Sequence, residues 1–97
     1  MNLVKNGNQI VVNGNILSFD DYDKIKEAVQ EIIKKSGNEL DIVFADAMAL
    51  NSALIGFFIK CVRVDSVRMT MRVGNRKLYD MLETLSLVPV FNVTVRL

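Results

Sequence analysis

Two adjacent side chains, Asn51 and Ser52, hold the most informative chemistry in this chain, inside the stretch DAMALNSALIGFFI from Asp46 to Ile59. Asn and Ser are strong helix-capping types, and here an apolar run turns into a helix through Ala53, Leu54, Ile55, Gly56, Phe57, Phe58, Ile59 and Val62. Ser52 is therefore expected at or beside the first turn. A phosphate there would meet free backbone N–H groups and the positive end of the helix dipole, changing surface charge by roughly two units without breaking the fold. As a plain cap the same serine would contribute about 1 kcal/mol, and the residue types alone leave both roles open. The helix is apolar nearly all round, which predicts one face on the core and another docked on a partner. Adjacent residues lie about 100° apart on a helix, so Phe57 and Phe58 cannot both reach one core, and one is expected to be exposed or at an interface.

Other reactive groups are scarce. The chain has no histidine, which removes the commonest general base, the usual catalytic triads and most zinc and haem ligand sets. Its one cysteine, Cys61, has no partner for an internal disulfide and reads as a half-buried small hydrophobe in a reducing compartment. Neither GxxxxGK[ST] nor GxGxxG occurs, so nucleotide hydrolysis has no support. Asp20, Asp21 and Asp23 are read as capping a helix, not as holding a metal. No catalytic constellation emerges. The chain is not expected to be an enzyme, nor to need a metal or a cofactor.

Charge narrows the partners. Residues 1–50 carry five Lys against eight acidic residues, and residues 51–97 carry seven Lys or Arg against three. A nucleic-acid binder of this size usually has a clear excess of base with exposed aromatics interleaved, so solvated faces are the reading and nucleic acid is disfavoured. The longest apolar run, Ala47 to Ile59, is broken by Asn51 and Ser52 and falls short of the about 20 residues that span a bilayer. Membrane insertion is not expected. The N-terminus lacks the apolar segment of a secretory signal, which makes the cytoplasm the expected location.

The elements that must position Ser52 follow from periodicity. Leu3 to Lys5 and Gln9 to Val12 read as a hairpin around Asn6-Gly7, and a second pair, Asn13-Gly14, reads as another turn or a bulge before Ile16 and Leu17. A helix begins with Asp20 as cap candidate and buries Tyr22, Ile25, Val29, Ile32 and Ile33. Leu40 to Ala45 reads as a central strand covered on both faces. After the helix at Ser52, Val67 to Val73 alternates as a half-buried strand whose arginines point away from the core. A third helix follows, with Leu78, Met81, Leu82 and Leu85 on one side, and Pro89 is expected to end it. Phe91, Val93, Val95 and Leu97 alternate as the closing strand. The order β-β-α-β-α-β-α-β predicts a single α/β domain over residues 1–97: a small mixed sheet packed with helices, with parallel neighbours after an antiparallel hairpin.

Three segments in this order carry a resemblance: NSALIG at Asn51 to Gly56, VRMTMRVG before Asn75, and KLYDMLETLSLVPVFNV at Lys77 to Val93. Together they resemble the STAS domain of anti-sigma-factor antagonists and sulphate-transporter tails, over nearly the whole chain. In that family a central strand precedes an Asp-Ser or Asp-Thr pair opening an apolar helix, and a later helix ends in Leu, Gly, Leu. The resemblance implies a non-catalytic regulatory module. It would bind a GHKL-type anti-sigma kinase that phosphorylates its serine, with a phosphatase reversing the switch. Ser52 matches the phosphoacceptor and Asn51 the acidic residue before it, and Leu54, Ile55, Phe57 and Phe58 match the helix beside the docking surface. The implied partner-binding set is Asn51, Ser52, Ala53, Leu54, Phe57, Phe58 and Cys61. Three departures stand out: Asn51 lacks the carboxylate, the connection from Asp46 to Ser52 is short, and no helix follows the last strand. The last departure is expected to leave apolar surface for another subunit, a homodimer included. A second function fits the same resemblance, that of a permanent STAS assembly subunit of a lipid-transport ATPase.

Overall fold

The computed structural model describes residues 1–96. Strands β1 (Asn2–Asn6) and β2 (Gln9–Asn13) form the antiparallel hairpin. Asn6 pairs with Gln9, so the loop residues are Gly7 and Asn8, not Asn6 and Gly7. Gly7 has a φ of 62°, and glycine at the first central position is the pattern of a type II′ turn, whose twist suits the flanking strands. Asn13-Gly14 makes neither a second hairpin nor a bulge within the ladder. Gly14, at a φ of 89°, turns the chain out of the sheet.

Helix α1 (Phe19–Ser36) is capped by Ser18, two residues before the expected Asp20. Ser18 Oγ accepts from the Asp21 backbone N–H at 3.2 Å, while Asp21 Oδ2 accepts from the Leu17 N–H at 2.9 Å. A hydroxyl at the cap with a carboxylate three residues on satisfies two orphan donors at once, which Asp20 could not do from inside the turn. Ile25, Ala28, Val29 and Ile32 form its buried stripe, with Tyr22 and Ile33 at the margin.

The chain continues through β3 (Glu39–Phe44), α2 (Ser52–Arg63), β4 (Arg68–Val73), α3 (Arg76–Thr84), a short α4 (Val88–Phe91) and β5 (Val93–Val95). The strands lie in sequence order, β1 antiparallel to β2 and each later pair parallel. This is the expected small α/β fold with one addition, α4. Pro89 does not end α3, which stops at Thr84. Pro89 instead occupies the first turn of α4, where a missing N–H costs no helical hydrogen bond. Phe91 thereby belongs to a helix and is fully buried, not the first residue of the last strand. Leu97, expected to end that strand, lies outside the described residues.

All buried strand residues share one face of the sheet: Ile10, Val12, Leu40, Ile42, Phe44, Met69, Met71, Val73 and Val93. The reverse face carries a row in register, Val4, Val11, Val43, Arg72 and Thr94, none of it fully buried. The expectation of β3 covered on both faces is thus corrected. One residue explains it. Asp41 interrupts the apolar run and sits on the reverse face, accepting from Gln9 Nε2 at 3.3 Å and lying 3.4 Å from the Arg72 guanidinium.

The β3–β4 pair ends in a close approach. Gly74 N donates to Phe44 O at 2.9 Å, and a Cβ on Gly74 would lie 1.9 Å from the Ala45 carbonyl oxygen. Neither backbone can give way without opening the ladder, so Gly74→Ala should destabilise the protein by roughly 3 kcal/mol. Urea unfolding of the two forms measures it, and a loss below the usual surface-mutation range would show that the strand ends separate freely.

Candidate functional site

The segment between β3 and α2 is tied down along its length. Ala45 N donates to Val12 O at 2.9 Å, Gly14 N donates to Asp46 Oδ1, and Met48 N donates to Asn15 Oδ1 at 3.0 Å. Ala47 and Leu50 are buried. This fastening carries the start of α2 to the loop that precedes α1. Asn51 is the cap: its Oδ1 accepts from the Leu54 N–H at 2.8 Å, and its carbonyl accepts the first helical bond from Ile55 N at 3.1 Å. Ser52 is then the first helical residue. It is exposed, and among the described residues its hydroxyl has no hydrogen-bond partner. Asn51, not Ser52, does the capping.

The rest of the implied docking set divides sharply. Asn51, Ser52 and Ala53 are exposed and Phe57 is half-buried. Leu54, Phe58 and Cys61 are 0, 0 and 1% exposed, so these three are core residues and cannot touch a partner without unfolding the helix from the sheet. The reason is rotational: α2 turns its stripe of Leu54, Ile55, Phe58 and Cys61 to the sheet and leaves Ala53, Gly56, Lys60 and Arg63 outside. The near-all-round apolarity of the sequence comes from Phe57, Ile59 and Val62, half-buried at the margins of the stripe, and from the small Ala53 and Gly56, which share the outer face with Lys60 and Arg63. Of the two adjacent rings, Phe58 takes the core and Phe57 lies against it at 5.7 Å between centroids.

Apolar surface does gather near Ser52, from residues that the periodicity reading passed over. Leu17 and Phe19 flank the α1 cap and are both 84% exposed, and Met48 in the preceding loop is 47% exposed. Leu17 and Phe19, with Ile16, Tyr22, Asn51 and Ala53, edge a shallow groove of about 340 Å³. The available signal was a phenylalanine directly after a capping serine, ahead of the spaced stripe that begins at Tyr22. Chemically the site offers an uncommitted hydroxyl beside an apolar groove. Cys61 offers no nucleophile: burial, with Asp65 adding to it, pushes its thiol up to about 11. Comparison with protein-family models, with curated proteins and with solved structures returned no match for this chain.

Two measurements follow from these positions. Asn51→Ala should cost about 1 kcal/mol of stability and Ser52→Ala less than about 0.5 kcal/mol, because only the first removes a capping bond. Chemical denaturation of both variants decides it, and the reverse order would return the cap to Ser52. For Cys61 the folded value lies above the ordinary 9.0, so its neutral form is the one favoured by folding. Its contribution is complete below pH 9 and is lost as the pH rises toward about 11, by an amount on the order of 3 kcal/mol. Urea midpoints across that range should fall for the parent and flatten for Cys61→Ala.

Proposed function

We propose that this chain is a non-catalytic regulatory module that exchanges protein partners under control of phosphate on Ser52. The observation that carries the proposal is the division of labour at the start of α2, where Asn51 caps the helix and leaves the Ser52 hydroxyl exposed and unbonded. A serine kept for capping would be shielded by its own hydrogen bond; this one is open to a kinase. The cap takes up the Leu54 N–H, and the backbone N–H groups of Ser52 and Ala53 are left to receive phosphate oxygens. The exposed apolar groove beside it supplies the docking surface that the buried Leu54, Phe58 and Cys61 do not.

Two further features support a STAS-like reading. The resemblance extends over the opening hairpin and the later strands, which the fold joins in one mixed sheet in sequence order. The family's Leu-Gly-Leu is Leu85-Ser86-Leu87 here, and Ser86 has a φ of 60°, the left-handed conformation that favours glycine. On this reading the partner is a GHKL-type kinase working with a phosphatase in the cytoplasm. No helix among the described residues is long and apolar enough to cross a membrane.

The test uses a cognate kinase, with intact-mass analysis and peptide mapping after the reaction. Ser52 should carry the phosphate, and not Ser18, Ser66 or Ser86. Ser52→Asp should keep its thermal midpoint, since negative charge at a helix start is favourable by about 0.3 to 1 kcal/mol. It should nevertheless lose partner affinity at least about tenfold, because an unpaired carboxylate desolvated at an apolar surface costs more than the about 1.4 kcal/mol equivalent to that factor. Ser52→Ala should bind like the parent. Equal binding by the Asp and Ala forms would instead favour the permanent assembly subunit of a transporter ATPase.

A further inference from the structure

Two Asn-Gly pairs occur near the N-terminus, and the fold treats their glycine nitrogens differently. In such a pair the glycine amide nitrogen can attack the asparagine side-chain carbonyl, since no Cβ on the following residue hinders it. At Asn13-Gly14 that nitrogen is engaged. Gly14 N donates to Asp46 Oδ1 in a charge-assisted hydrogen bond, and Met1 backbone atoms stand in van der Waals contact with the place a Cβ would take, at 3.4 and 3.7 Å. An amide held in this way keeps both its proton and its position. At Asn6-Gly7 nothing comparable exists. Gly7 lies in the two-residue hairpin loop, and a Cβ built on it would meet no atom within 4 Å. Among the described residues its N–H has no acceptor. Asn6 is exposed at the end of the edge strand β1.

We propose that Asn6 is a site of spontaneous deamidation and that Asp46 protects Asn13 from the same reaction. Gly7 N gives up its proton to solvent base and bonds to Asn6 Cγ. The Cγ–Nδ2 bond then breaks, and the side-chain nitrogen leaves as ammonia with protons taken from water. The product is a five-membered succinimide. Water opens the ring at either carbonyl, giving aspartate or isoaspartate, so that one water enters, one ammonia departs and no oxidation occurs. The formal net charge falls from +1 to zero. The new carboxylate arises opposite Gln9, whose amide already serves Asp41. Isoaspartate also adds a backbone carbon at the pair that closes the hairpin, loosening the register of β1.

The experiment holds the intact protein in mildly alkaline buffer at body temperature and maps aspartate and isoaspartate by peptide mass analysis over days. Asn6 should react faster than Asn13 by roughly tenfold or more, and in urea the two sites should converge. Asp46→Ala, checked for folding by circular dichroism, should raise the Asn13 rate and leave the Asn6 rate unchanged. Asn13 reacting as fast as Asn6 in the folded parent would overturn the proposal. So would a folded protein inert at both sites while the urea-unfolded chain reacts, or an Asp46→Ala variant in which Asn13 stays slow.

Discussion

The placement of α2 rests on the ring of Phe58. It is fully buried and meets Phe44 of β3 and Phe91 of α4 edge-on, at centroid separations of 6.2 and 6.0 Å and interplanar angles of 69° and 74°. Edge-to-face pairs of this kind contribute about 0.5–1.5 kcal/mol each beyond the area they bury. Their larger effect is orientational. With Phe58 fixed between a strand and a second helix, α2 cannot rotate, and Leu54, Ile55 and Cys61 must follow it into the core. Ser52, Ala53 and Gly56 are turned outward by the same geometry. The exposure of Ser52 is thus decided six residues downstream.

A second constraint acts at the other end of the connection to α2. The close passage of Gly74 beside Ala45 allows β3 and β4 to stay paired to their last residues, so the loop from Ala45 leaves the sheet at a fixed point. Asp46 and Met48 then bind the loop to Gly14 and Asn15, the residues that follow β2. Two loops that are distant in sequence are therefore fastened to each other by hydrogen bonds. The cap of α1 extends the arrangement, because Asp21 holds the Leu17 backbone and Ser18 holds that of Asp21. Leu17 and Phe19 are presented beside Ser52 by backbone hydrogen bonds and not by burial of their own side chains.

Much of this architecture was legible because period and punctuation agreed. The Val67 to Val73 alternation gave β4 and its outward arginines, and the three- and four-residue spacing from Ile25 to Ile32 gave the α1 stripe. Failures came where two signals competed. Three aspartates after Phe19 resembled a cap, yet the serine before them could accept from an N–H and be answered by Asp21 from the next turn. A hydrophobic β3 suggested two covered faces, although Asp41 within it required polar neighbours, and the helical layer covers one face alone. At the C-terminal end a proline read as a stop was a helix start. That reading depended on Phe91 being drawn against Phe58, a contact that no local pattern encodes. Within the site, Asn51 and Ser52 were found as a pair but with the cap open between them. The sorting of α2 into core and surface needed the rotation that only packing fixes.

The exchange of roles between Asn51 and Ser52 bears on the departure from the family pattern. An acidic residue at position 51 would cap α2 equally well, since Asp and Asn both accept from the third helical N–H. It would also place a second negative charge next to a phosphate on Ser52. Asn51 keeps the hydrogen bond to Leu54 and omits that charge. A phosphate of about −2 on Ser52 would then draw on the free N–H groups and the helix dipole without repulsion from its neighbour. The loss of the carboxylate therefore need not weaken a phosphorylation switch. It would spare a phosphorylated form an electrostatic penalty while leaving the helix equally capped with or without the phosphate.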